Sequence, residues 1–323
     1  MAVKNFASTS IKTGTQRTSL WDGLSVVIAN SERAVKFGGE SGTNRDIIEY
    51  ITISTTGNGT LFGNLTTVSN GGAGSGNGLR SLLSIGNYSA VVNYITLATT
   101  GNGTSFGNLT FATVGHAGHS NITRSIRAGG YGPSNAQNFI NYQTISTLGA
   151  GTTFGTLTYA RSSLSAAGSS TRMVLSPGGS DGNGYGNTAM DYITIGTLGN
   201  AVSFGSRTQA GNGSGSLSSA TRMVTGGNRI DGGTFTNIMD YVTIATTGNA
   251  TSFGSLPGNY AYGAGTSNGI RGVWGSWGRP GTNPSSSYDY ITIATTGNTT
   301  SFGSVYLDSA NCGMASGSHG GLQ

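Results

Sequence analysis

The sequence predicts an all-β protein, a six-bladed β-propeller with a short N-terminal arm, on three observations. A signature recurs six times: Tyr, any residue, Thr, Ile or Leu, any residue, Thr, Thr or Leu, Gly, and after four more residues Phe-Gly. Its tyrosines, Tyr50, Tyr94, Tyr142, Tyr192, Tyr241 and Tyr290, are spaced 44, 48, 50, 49 and 49 residues apart. Self-similarity at such a period marks an array of small structural units. The composition supplies the third observation: only 8% of residues are charged, 57 are glycine, and 35% are hydrophobic, below the usual globular share. Disorder couples low hydrophobicity with high net charge. Here charge of both signs is scarce, so regular apolar positions in a Gly/Ser/Thr background indicate short strands with tight turns.

Residues 164–206 serve as the type repeat. SLSAAGSS reads as a small-residue first strand, and RMVLS as a second, ended by Pro177-Gly178-Gly179. The polar loop SDGNGYGNT follows. AMDYITI then alternates, with Met190, Tyr192 and Thr194 on one face and Ile193 and Ile195 on the other. Gly199-Asn200 makes the next turn, and AVSFG is the outer strand. A lone four-stranded meander this poor in large apolar residues cannot bury both faces, whereas stacking six around an axis buries each against its neighbours. A parallel β-solenoid is the rival, but its rungs are shorter than this repeat.

Two features are similar to kelch repeats, whose period is roughly 50 residues. A Gly-Gly doublet ends the second strand at Gly38-Gly39, Gly129-Gly130, Gly178-Gly179 and Gly226-Gly227, and the repeated tyrosine follows. The sequence departs from kelch where Phe-Gly replaces the usual tryptophan, and blades two and six lose the doublet (Gly86-Asn87 and Gly275-Ser276). Residues 1–22 form the expected arm and 23–323 the propeller. Leu24–Asn30 reads as a first strand and Asn311–Gly321 as a seventh one. Either the second covers the junction of blades six and one, or it displaces the first. In both versions the termini meet.

The net charge of +5 is mild for 323 residues, and no basic run tracks a phosphate backbone, which argues against nucleic-acid binding. No apolar run is long enough for a membrane-spanning helix. The opening MAVKNFASTSIKTGTQ has no continuous apolar stretch, so no secretory signal is expected. A single cysteine, Cys312, precludes an intrachain disulfide. The Asn-x-Ser/Thr triplets at Asn58, Asn102, Asn121 and Asn249 are expected from composition alone.

The phrases DYITIATTGN and DYVTIATTGNATSFG, at Asp289 and Asp240, resemble repeats of virion structural proteins from marine tailed phages, notably those infecting cyanobacteria. The resemblance implies a particle component (tail, fibre, baseplate or capsid surface) present in multiple copies, with other virion proteins as partners and no catalytic residues. The arm is similar to the first segment of phage appendage proteins.

Candidate sites follow from what the repeat leaves over. The six tyrosines are read as packing, because six equivalent rings serve the repeat's own burial. Arg33, Arg80, Arg124, Arg172, Arg222 and Arg271 precede the second strands. They are read as donors to carbonyl oxygens or acids of a neighbouring blade rather than as an anion-binding ring. His116 and His119 sit three apart on a strand, on opposite faces, too few for a zinc site. No cofactor or metal is expected. Neither a copper-propeller cysteine and histidine set nor a sialidase Asp box is present, and no close carboxylate pair is evident, so an enzyme acting on polysaccharide is the least favoured reading.

The least repetitive segments are the candidates for binding, because insertions in repeat arrays map to loops. They hold Trp277 and Arg279 (before Pro280), Tyr260 and Tyr262, and Tyr131. Exposed aromatics there would stack on host-surface glycans or anchor a protein partner. Trp274 is read as core and Trp277 as a loop residue. Lys4, Lys12, Arg17 and Trp21 of the arm are the candidate docking residues on a neighbouring subunit. The expected function is a non-enzymatic virion protein presenting a rigid propeller, with a glycan- or receptor-binding module as the alternative.

Overall fold

The computed structural model describes residues 32–179, 187–279 and 284–322. The arm with Lys4, Lys12, Arg17 and Trp21, the stretch Leu24–Asn30, most of the loop after Gly179, and Pro280 lie outside the described residues. Blade 1 contains β1 (Arg33–Phe37), the two-residue β2 (Glu40–Ser41), β3 (Thr43–Thr52) and β4 (Thr60–Ser69). Blade 2 contains β5 (Ala73–Gly76), β6 (Arg80–Ser84), β7 (Ser89–Thr96) and β8 (Thr104–Thr113). Blade 3 contains β9 (Ala117–Ser120), β10 (Arg124–Ala128), β11 (Phe139–Thr144) and β12 (Thr152–Thr156). Blade 4 contains β13 (Ala166–Gly168), β14 (Arg172–Leu175), β15 (Ala189–Thr194) and β16 (Val202–Ser206). Blade 5 contains β17 (Gly215–Ser218), β18 (Arg222–Arg229), β19 (Phe235–Thr243) and β20 (Thr251–Tyr260). Blade 6 contains β21 (Ala264–Ser267), β22 (Arg271–Gly275), β23 (Ser287–Thr292) and β24 (Thr300–Ser304), and the chain finishes with β25 (Gly313–Ser316).

The protein is a six-bladed all-β propeller of antiparallel blades, as the repeat predicts. In blades 2–6 the four strands pair in chain order, while blade 1 takes its innermost strand from the C-terminus. β25 pairs antiparallel with β1, Ala34 opposite Ser316 and Phe37 opposite Gly313. The seventh first strand of the sequence therefore closes the ring by completing blade 1, which leaves that inner edge paired.

No blade has a core of its own. Each of the six apolar clusters straddles one seam between neighbouring blades. One joins Ile126 and Phe154 of blade 3 to Met173 and Ile193 of blade 4. Another joins Val273 and Phe302 of blade 6 to Ile51 and Ile53 of blade 1. Burial of one blade thus requires the next, the dependence expected of a repeat that cannot cover its own faces.

The Phe-Gly pair has two structural causes. In every blade the register between third and fourth strands shifts at this point, as where Ile48 faces Gly63 but Glu49 faces Leu61. The phenylalanine is the extra, bulged residue, and a bulge re-aims its side chain. Each ring lands edge-on against its own blade's tyrosine, with centroids 5.9–6.2 Å apart. The glycine permits close approach of the next blade. A Cβ on Gly63, Gly155 or Gly303 would lie 2.3, 2.1 or 2.2 Å from the carbonyl oxygen of Gly101, Gly199 or Gly57. That same turn glycine donates its N–H to the phenylalanine carbonyl, as from Gly57 to Phe302 at 3.0 Å.

Gly303→Ala is expected to destabilise the fold by ~2–4 kcal/mol, because a β-carbon has no room against backbone. Gly57→Ala, on the opposite side of the same contact and open to solvent, should change stability by less than ~1 kcal/mol. Urea unfolding of the two variants measures the contrast; equal losses would refute the close-approach explanation.

Candidate functional site

Three sets of side chains are distributed around the ring, and two of them are structural. The first is the arginine set. Each guanidinium lies over the signature tyrosine of its own blade, 4.2–5.0 Å from the ring centroid. Each Nη1 also donates to a carbonyl at the end of the third strand of the next blade. The acceptors are Leu97, Ile145, Ile195, Ile244, Ile293 and finally Ile53 of blade 1, at 2.7–3.0 Å. The reading of these arginines as carbonyl donors to a neighbouring blade holds at all six seams. A cation stacked on an aromatic face and tied to carbonyls is not presented to an external anion.

The turn asparagines belong to the same seams. Asn58, Asn102, Asn200, Asn249 and Asn298 accept from the backbone N–H of Ser304, Asn64, Thr156, Ser206 and Ser255 of the preceding blade. Four of the Asn-x-Ser/Thr triplets, at Asn58, Asn102, Asn249 and Asn298, recur for this reason. Blade 3 has Ala150 at the equivalent position.

The second set was not recognised in the sequence: the residue just before each signature tyrosine. Glu49, Asn93, Asn141, Asp191, Asp240 and Asp289 are all buried. Five of them accept a backbone N–H from the preceding blade, from Tyr306, Thr66, Thr110, Thr158 and Thr208, at 2.8–3.2 Å. Three also pair with a buried cation: Lys36–Glu49 at 3.1 Å, Arg161–Asp191 at 3.0 Å and Arg207–Asp240 at 2.9 Å. Tyr288 Oη donates to Glu49 Oε1 at 2.5 Å. Burial and the adjacent Glu49 push the Tyr288 hydroxyl well above its ordinary pKa. The strict polar character of this position is the signal that was present in the sequence.

Asp289 is the exception. The place of the donating threonine is taken by Pro257, which has neither N–H nor hydroxyl. Its one hydrogen bond among the described residues comes from Ser287 Oγ at 3.4 Å. Burial raises its pKa from 3.8 to about 6, against smaller lowering effects of Ser287 and Arg279.

The third set is the group of connections between second and third strands, which gather on one face with the segments that lead into the first strands. Here the sequence expectations need correction. Trp277 is fully buried, stacked on Tyr260 with centroids 5.9 Å apart and 6.5 Å from Trp274. The tertiary fold folds this indole into the seam of blades 5 and 6, because Gly263 leaves a space where a Cβ would lie 2.2 Å from the ring. Tyr260 is buried with it. Trp274 is core, as expected. Arg279 is exposed, 5.4 Å above Tyr260 and hydrogen-bonded to Ser285 Oγ at 3.1 Å. Tyr131 is half-buried and bridges to Val114 and Ala136. Tyr262 is half-buried at the axis, within 3.2 Å of Arg229. Two outward aromatics on this face that sequence reasoning missed are Tyr88 in the blade 2 connection and Tyr306 in the segment leading into β25, each 51% exposed.

The axis carries the most ordered polar geometry. Residues 71, 115, 163, 213, 262 and 311 form a closed ring in which each N–H donates to the preceding blade's carbonyl at 2.5–2.9 Å. All six are left-handed, with φ between 53° and 71°. Glycine suits this at Gly71, Gly115 and Gly213, while Ser163, Tyr262 and Asn311 are held there by the ring. At the opposite end, serine hydroxyls of the first strands bond to the neighbouring strand: Ser120 to Gly76, Ser218 to Gly168, Ser267 to Ser218 and Ser316 to Ser267. This girdle is interrupted where blades 2 and 4 have Gly76 and Gly168. The C-terminal segment folds into those gaps: His319 Nε2 reaches Gly76 O at 3.0 Å, and Gly320 approaches Gly168.

His119 and His319 meet edge to face, 5.3 Å apart, and His116 lies nearer the other end against Ser84 and Thr113. Gly321 N–H donates to His319 Nδ1, so the neutral ring carries its proton on Nε2. Among the described residues no group of three or more His, Cys, Asp or Glu is placed to hold a metal ion, and no helix is long and apolar enough to cross a membrane. No family model matches the chain, and no curated protein matches it.

Pro257→Thr restores the missing seam donors and should raise stability by ~1.5–3 kcal/mol at pH 7, the worth of a hydrogen bond to a charged group. Because the Asp289 pKa is raised, its stabilising neutral form is lost as pH climbs toward about 6. The gain from Pro257→Thr should therefore vanish below pH 4; a pH-independent gain would contradict it.

The histidines act in the opposite direction. Burial lowers His116 and His119 to about 3 and His319 to about 4, with Arg127 adding to the shift at His116 and His319 at His119. Below pH 6.5 the unfolded chain takes up protons that the native state refuses, so stability falls with pH by up to ~1.4 kcal/mol per unit for each histidine. Denaturation midpoints at pH 7, 5.5 and 4.5 should decline in that order, with three histidines outweighing Asp289. A flat profile would show that the axis is not closed to protons.

Proposed function

We propose that this protein is a non-enzymatic component of a phage virion that presents a rigid propeller for attachment to protein partners. The β-propeller fold is compatible with a protein-interaction module. The observation that carries the reading is the use to which the repeat is put: its arginines, tyrosines, Phe-Gly pairs and turn asparagines are all consumed in the seams. What varies between blades is concentrated in the connections on one face, where Arg279 and Tyr88 are exposed. A closed ring costs little to hold such loops in fixed relative positions, which favours binding by pre-organisation. The resemblance of the Asp240 and Asp289 repeats to marine phage virion proteins supplies the setting. A glycan-stacking role for Trp277 has no support from its position, since that indole has no exposed face.

The test is localisation on purified particles. Cryo-EM or immunogold labelling should find the protein in multiple fixed copies, with the face bearing Tyr88 and Arg279 turned toward a neighbouring subunit. Deletion of residues 1–22 should leave a folded ring that no longer joins the particle. Absence of the protein from purified virions would overturn the proposal.

A further inference from the structure

Blade 3 contains a buried charge without a counter-charge. Arg127 on β10 occupies the register position that Lys36 holds on β1, three residues after the seam arginine. Lys36 is paired with Glu49, whereas among the described residues no carboxylate lies within ion-pair distance of Arg127, which is 3% exposed. Its donors reach only neutral acceptors: Nε to Ser84 Oγ at 2.7 Å, Nη2 to Leu82 O at 2.9 Å, and Nη1 to Ile126 O, Ser75 Oγ and Ser125 Oγ at 2.9, 2.9 and 3.1 Å. These bonds engage all three nitrogens but leave the net charge uncompensated, and a buried, unpaired charge is costly. Burial lowers the guanidinium pKa to about 9, so the group remains charged at neutral pH.

The wall between this charge and the axis is thin. It consists of Ser75 on β5 and Gly118 on β9, and a Cβ on Gly118 would lie 2.9 Å from Arg127 Nη1. Both residues line an axial cavity of about 50 Å³, whose other walls are Gly, Ala, Ser, Thr, Leu, Met and the imidazoles of His119 and His319, with no carboxylate. The hydroxyl protons give a direction. Ser75 Oγ and Ser125 Oγ are 2.7 Å apart and both accept from Arg127, so only one can donate to the other. Ser125 is away from the cavity and has no second acceptor among the described residues. When its proton goes to Ser75, the Ser75 proton is free to turn toward the axis.

We propose that the axial channel binds a small inorganic anion beside Ser75, as the counter-charge of Arg127. The cavity volume fits a halide or nitrate. The anion would accept the Ser75 hydroxyl proton, with Arg127 supplying the field from behind.

The test uses the full-length protein, exchanged into sodium gluconate and titrated with sodium bromide at constant ionic strength. The Tm of the wild type should rise saturably by a few degrees, as expected for a ligand of the native state. Crystals grown in bromide should show an anomalous peak on the axis at hydrogen-bond distance from Ser75 Oγ. Ser75→Ala should lose the saturable rise while keeping the β circular-dichroism spectrum. Arg127→Met, which removes the charge, should make Tm independent of bromide. If that variant does not fold, Ser75→Ala and the anomalous map decide. A wild-type Tm unresponsive to bromide, a rise undiminished in Ser75→Ala, or an axis without an anomalous peak would each overturn the proposal.

Discussion

The interaction on which the rest of the structure depends is the contact of one blade with the next. A blade here is four short strands rich in Ser, Thr and Gly, and its apolar residues meet partners only across a seam. The arginine contact holds every seam, and most seams are fixed at two further heights. An arginine stacked on its own tyrosine reaches the next blade's third strand, a glycine-asparagine turn docks on the bulged Phe-Gly, and a buried polar residue before the tyrosine collects the preceding blade's N–H. All are backbone-directed, so they tolerate variation in the side chains around them. Because the sixth arginine reaches Ile53 and β25 pairs with β1, a repeated contact becomes a closed ring rather than an open stack.

Closure places a strong demand on the axis. Six first strands converge there, and the sequence supplies AGSG, AGHS, AAG, GSLS, AGTS and GMAS. The small side chains allow the strands to approach, and the serines bond to the neighbouring strand's backbone. One end is finished by six peptide groups joined in a ring; the other is finished by the C-terminal segment lodged where Gly76 and Gly168 break the girdle. Burial around the axis lowers the pKa of three histidines and of the Arg127 guanidinium, and a small polar cavity is left there.

Departures from the repeat carry more information than the repeat itself. Pro257 leaves Asp289 without the donors that its five counterparts have, and Arg127 lacks the acid that Lys36 has. Blade 6 replaces the flexible doublet with Gly275-Ser276, and Ser276 takes the left-handed conformation at φ 59°. This blade also encloses the two tryptophans, so the most divergent sequence is also among the most tightly packed.

The sequence by itself determined the number of blades, the strand order within blades 2–6, and the structural role of the tyrosines and arginines. These follow from local alternation and from periodicity, which are properties of the chain alone. Only the tertiary structure decided what depends on apposition of distant residues. It seated β25 against β1, buried Trp277 where a loop position suggested exposure, and brought His319 against His119 across 200 positions of chain. It also paired the residue before five of the six tyrosines with a donor from the preceding blade. A repeat period states that neighbours are equivalent, but it does not say which atoms meet at the seam; that is set by the geometry of closing six twisted sheets around one axis.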